Sequence, residues 1–115
     1  MQAWLPAAIS TVKQLGFRVG LHTAGAFPKV LEQVLPLTDW VGMDIKAPFE
    51  AYEQVTGIPG SGESARMSAA LVRTSGVSHQ FRTTLDPWLL EDGRLERLQE
   101  MVTVGWGEKV VIQMI

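Results

Sequence analysis

The sequence predicts an α/β domain built on a mostly parallel sheet of four strands with crossover helices. Three observations predict it. Apolar residues recur alternately at helical and at strand periodicity, turn residues stand at nearly every switch, and the segments between strands are long enough for right-handed crossovers. With 115 residues, 46% of them hydrophobic and 19% charged, residues 1–115 are expected to form a single domain with a buried core.

Leu5, Ala8, Ile9, Val12 and Leu15 recur three and four apart, and Gly16 ends the run, which predicts an amphipathic helix with a glycine stop. Phe17 to Thr23 reads as a short strand closed by Ala24-Gly25. Phe27, Val30, Leu31, Val34 and Leu35 form a second helical stripe with Pro28 in its first turn, and Pro36 closes it. Trp40 to Lys46 is the second strand. Its apolar run through Met43 suits a strand covered on both faces. A short helix is expected from Pro48 to Val55, then a glycine-rich turn from Gly57 to Gly62. Ser64 is a cap for a long helix through Met67, Ala70, Leu71 and Val72 to Gly76. Val77, His79, Phe81 and Thr83 alternate with polar residues in a third strand that ends at Asp86-Pro87. Asp92 is expected to cap a helix carrying Leu95, Leu98, Met101 and Val102, and Lys109 to Ile115 is the last strand. The order opens on a helix with no strand before it and closes on a strand with no helix after it.

Composition excludes several functions. Ten basic and twelve acidic residues give a net charge of −2, which offers no electrostatic footprint for nucleic acid or anionic lipid, so neither is an expected partner. No run of about 18 apolar residues could span a bilayer. Met1 to Pro6 lacks the character of a signal peptide, and the expected compartment is the cytoplasm. The cysteine count is zero, which removes disulfides, a thiol nucleophile and any Cys-ligated iron–sulfur cluster. His22 and His79 are far apart in sequence, and no metal site is expected.

In parallel α/β folds functional groups collect at the C-terminal ends of the strands. Those ends present His22, Thr23 and Gly25, then Asp44 and Lys46, then Arg82, Thr83 and Thr84, and finally Gln113. Asp44 and Lys46 stand two apart on one strand and are expected to face the same way, where carboxylate and ammonium can hold the two ends of a zwitterion. Arg82 adds a fork suited to carboxylate or phosphate. Blander readings stand beside these. Asp44 and Lys46 can form a strand-end ion pair of little worth, His22 can hold a loop, and Thr23-Ala24-Gly25 can be turn chemistry. His79 has the opposite parity to Arg82 and reads as structural, and the four tryptophans read as packing. The glycine-rich turn lacks the strand and the Lys-Ser/Thr pair of a phosphate loop. No residue is assigned a catalytic role.

The segments Gly16 to Gly25, Asp39 to Pro48 and Phe81 to Pro87, taken in order, resemble the radical S-adenosylmethionine activating enzymes. The closest subgroup is the anaerobic ribonucleoside-triphosphate reductase activating proteins, relatives of the pyruvate formate-lyase activating enzyme. The resemblance implies an open, partial (βα) barrel, with these four strands as its third to sixth. It also implies S-adenosylmethionine as cofactor, a [4Fe–4S] cluster in the family, and a glycyl-radical enzyme as partner. The family's Asp-x-Lys pair falls on Asp44 and Lys46, its threonine on Thr23 and its arginine on Arg82, which makes these four the expected cofactor contacts. The chain departs from the family in lacking the Cys-x-x-x-Cys-x-x-Cys and Gly-Gly-Glu segments. It also has His22-Thr23-Ala24-Gly25 where the family often has Asp-Thr-Asn-Gly. The expectation is an activase fragment without chemistry of its own, self-associating through an unpaired barrel edge. The alternatives are a stand-alone α/β small-metabolite or regulatory module, and a piece of an unrelated (βα) barrel.

Overall fold

A computed structural model describes residues 5–114. The expected tail of the last strand at Ile115 and the role of Trp4 lie outside the described residues. The chain runs α1 (Leu5–Gln14), β1 (Gly20–Thr23), α2 (Pro28–Val34), β2 (Trp40–Asp44), α3 (Tyr52–Thr56), α4 (Ser61–Thr74), β3 (Ser78–Thr84), α5 (Pro87–Leu90), α6 (Arg94–Glu100) and β4 (Val110–Gln113). The four strands form one sheet in the order β1-β2-β3-β4, every pair parallel. The α/β class and the four-stranded parallel sheet are therefore as the periodicity predicts.

Sequential order with crossovers of one hand lays all the helices on one face of the sheet. The burial of alternate strand residues agrees. Val41, Met43, Ile45, Phe81 and Thr83 are buried against Leu31, Val34, Ala65, Ala69, Val72, Leu98 and Val102 from the helices. The other parity carries His22, Asp44, Gln80, Arg82 and Val111, which no helix covers. In the run Trp40 to Met43, Val41, Gly42 and Met43 are buried and Trp40 is half-buried. Trp40 and Gly42 belong to the open face, and Gly42 is buried beneath neighbouring side chains.

Other boundaries shift for local reasons. β1 starts at Gly20, because the Val19 N–H is donated to the Asp39 carboxylate at 2.6 Å. β2 ends at Asp44, because the Lys46 N–H leaves the ladder for the Tyr52 hydroxyl at 2.8 Å. α4 begins at Ser61, capped by Gly60 in the left-handed region, so Ser64 lies inside the helix. Asp92 is not a cap either: Gly93, at φ +71°, holds that position before α6. Asp86 does cap a helix that periodicity missed, α5, its carboxylate accepting the Leu89 N–H at 2.9 Å. α6 runs on into a π-helical turn, Met101–Gly105. No helix of the described residues is long and apolar enough to cross a membrane.

Candidate functional site

The open face gathers its polar groups by register. His22 lies beside Gly42, and Asp44 beside Arg82. Because neighbours in register share a face, three strands deliver His22, Asp44 and Arg82 to one place. Arg82 Nη2 donates to His22 Nδ1 at 2.8 Å and to Asp44 Oδ1 at 3.3 Å. An arginine only donates, so His22 Nδ1 must accept and the imidazole proton sits on Nε2. The Trp40 ring meets His22 edge-on with centroids 5.3 Å apart. Gly42 makes this assembly possible: a Cβ there would lie 2.7 Å from the Trp40 ring and 3.2 Å from the Arg82 guanidinium carbon.

Arg82 is held but not saturated. Its side chain is 14% exposed, and its Nε is buried with no partner among the described residues. That nitrogen is sealed from solvent, so an arriving acceptor would meet the terminal guanidinium nitrogens. The trio can therefore bind an anionic group from the open side, with the Asp44 carboxylate, 44% exposed, available to a cation beside it. Carboxylate, imidazole and guanidinium in contact suit recognition of a zwitterion.

The other two expected contacts lie elsewhere. Thr23 is in register with buried Met43, and its Oγ1 accepts the Gly25 N–H at 3.0 Å. Gly25, at φ +76°, packs so closely that a Cβ there would strike the Met43 side chain, and its carbonyl accepts from Ser68 Oγ at 2.9 Å. Thr23 thus steadies the turn after β1. Lys46 stands beyond the end of β2. Asp44 makes its ion pair with Arg82 and not with Lys46. The Lys46 side chain lines a separate cleft beside Tyr52. Burial, reinforced by the charge of Asp44, pushes the Tyr52 phenol up to about 12 against the N–H bond from Lys46, so the hydroxyl stays protonated. His22 is the residue that sequence reading undervalued. Its place at the end of β1 was the available signal; the register that sets it beside Gly42 was not.

His79 is structural, as its parity predicts. Its Nδ1 faces the Val77 carbonyl at 2.8 Å and its Nε2 the Glu108 carboxylate at 2.9 Å. Among the described residues no group of three or more His, Cys, Asp or Glu could hold a metal ion. The glycines of the 57–62 turn serve geometry: Gly57 ends α3 at φ +69°, Gly60 precedes α4 at φ +79°, and Gly62 packs against the Phe49 carbonyl.

No family model matches the chain, and no solved structure matches it. Among curated proteins, it is similar to one from Methanocaldococcus jannaschii named "Putative glycyl-radical enzyme activating enzyme", with 27% identity over 96 residues, 78% of this chain and 40% of the relative. The chain spans about 40% of the length of this relative.

Proposed function

We propose that this chain carries part of the cofactor and substrate surface of a radical S-adenosylmethionine activase. Such an enzyme generates a glycyl radical on an anaerobic ribonucleotide reductase or a formate-lyase-type partner. The observation that carries the reading is the similarity to an activating enzyme across 78% of the chain. Its support in the structure is the placement of His22, Asp44 and Arg82 on the uncovered face of a sequentially wound parallel sheet. On this reading the four strands are the third to sixth of an open (βα) barrel, and the protein works in the cytoplasm.

S-adenosylmethionine has a methionine zwitterion, whose two charges Arg82 and Asp44 would complement. Arg82 would take the carboxylate and Asp44 the ammonium. His22 would hold the guanidinium in place, while Thr23 and Lys46 would shape the rim at the ends of β1 and β2. The [4Fe–4S] cluster of the family does not fit this chain, which contains no cysteine to ligate it. Reductive cleavage of the cofactor therefore requires thiolates from another polypeptide or another segment. The chain's own contribution is to bind and orient. A stand-alone metabolite-binding module is the rival reading, and one observation favours it: the cleft beside Lys46.

Anaerobic reconstitution with iron, sulfide, reductant and S-adenosylmethionine tests the reading. The chain alone should yield no 5′-deoxyadenosine. Adding a polypeptide that supplies the Cys-x-x-x-Cys-x-x-Cys and Gly-Gly-Glu segments should yield it, and Arg82→Ala should abolish that gain. Product from the chain alone, or none with the complement, would overturn the proposal.

A further inference from the structure

A cleft of about 440 Å³ opens beyond the ends of β1 and β2, between the turn after β1, α3 and the start of α4. That size is within the range of small-molecule pockets. Phe27, Val55 and Ile58 line it and are 54%, 41% and 62% exposed, an apolar surface that water covers poorly. Among the described residues that line it, Lys46 is the single charged side chain; Thr56, Ser61 and Ser64 also line it, the Thr56 and Ser61 hydroxyls bonded to each other at 2.7 Å. Tyr52, buried in the floor, fixes the Lys46 backbone through its hydroxyl.

The amides of the turn from Ile58 to Ser61 are already engaged. The Ile58 N–H is donated to Thr56 Oγ1, that of Gly60 to Glu53 Oε1, that of Ser61 to the Ile58 carbonyl, and Pro59 has none. A phosphate cradle needs those amides free. One ammonium, a few hydroxyls and an apolar wall match a single negative charge on a flat apolar body.

We infer that this cleft binds a small amphiphilic monocarboxylate, its carboxylate on Lys46 and its apolar body against Phe27, Val55 and Ile58. The inference shares Lys46 with the rim of the proposed cofactor surface, and it stands or falls on the cleft's own contacts. The open-face trio of His22, Asp44 and Arg82 forms a separate set of contacts.

The test is an amide chemical-shift titration of the full chain with trans-cinnamate, its neutral isostere cinnamamide, and phenyl phosphate. Cinnamate should move the Ala24, Lys46, Thr56 and Ser64 amides and bind about fivefold more tightly than cinnamamide, the scale of one exposed ion pair. Lys46→Gln should erase that preference and Lys46→Arg retain it. Both substitutions are at an exposed side chain and leave the core intact. Equal binding of cinnamate and cinnamamide, a preference for phenyl phosphate, or shifts confined to His22 and Arg82 would overturn the inference. Displacement of cinnamate by S-adenosylmethionine would overturn it differently, by joining the cleft to the cofactor surface while leaving the activase reading standing.

Discussion

At the scale of single residues, Gly42 decides whether the open-face trio can assemble. The Trp40 ring and the Arg82 guanidinium both occupy the space a Cβ would take. Gly42→Ala sets two effects against each other. Loss of chain entropy in the unfolded state favours alanine by about 0.4–1 kcal/mol, while overpacking costs about 1–3 kcal/mol. The second wins, so the variant should lose about 1 kcal/mol in urea unfolding, and its His22 ring resonances should move as Arg82 is pushed aside. An unchanged midpoint together with unmoved His22 signals would show that the trio does not depend on this vacancy. Lys46 makes a second point at this scale. Parity alone would put it with Asp44, but a single N–H given to Tyr52 ends the ladder and sends the side chain to another cavity.

At the scale of elements, two side-chain ties join neighbours and respond oppositely to pH. Asp39 binds the Val19 N–H and then Lys13, and these contacts hold its carboxyl below the usual value. This tie, which links α1 to the entries of β1 and β2, weakens as pH falls through that lowered value. His79 links β3 to the turn before β4. Burial works against its charged form, but the Val77 carbonyl and the Glu108 carboxylate outweigh it and raise the pKa above 6.5. A raised value in the folded state means that the contribution is complete below the unfolded pKa and is lost as pH rises through the folded one. Thermal midpoints at about pH 5.5 and about pH 8.5 should therefore differ more for the native chain than for His79→Gln, with the native chain favoured at the lower pH. Identical pH dependence in the two would remove His79 from the account.

At the scale of the molecule, β1 and β4 each pair on one side only among the described residues, and the face of the sheet opposite the helices is uncovered. Phe17 and Met114, near those two edges, are 65% and 81% exposed, and Val111 lies on the open face. Unpaired edges and uncovered apolar area favour pairing with another chain. At about 25 cal/mol per Å² of apolar surface, a few hundred Å² would be significant to a marginal domain. We expect concentration-dependent dimers in sedimentation equilibrium, weakened by Val111→Lys on the open face. A clean monomer at high concentration that binds no apolar dye would refute this.

The sequence by itself determined the fold class, the order of the main elements and the residues at the strand ends. These follow from local periodicity and turn chemistry: the stripe of α1, the alternation of β3, and the glycine at φ +91° that stops the first helix. It also determined the absence of thiolate chemistry, which is a matter of composition. The short helix α5 and the starts of α4 and α6 were legible only in part, because one capping bond or one left-handed glycine settles them. Only the tertiary structure decided which strand-end groups meet. Arg82 could have faced Lys46's neighbours or solvent. Register across three strands joined it to Asp44 and His22, while Thr23 turned to Gly25 and Lys46 to the cleft. The joining of Arg82 to Asp44 and His22 depends on contacts between residues 38 and 60 positions apart, a separation no local pattern encodes.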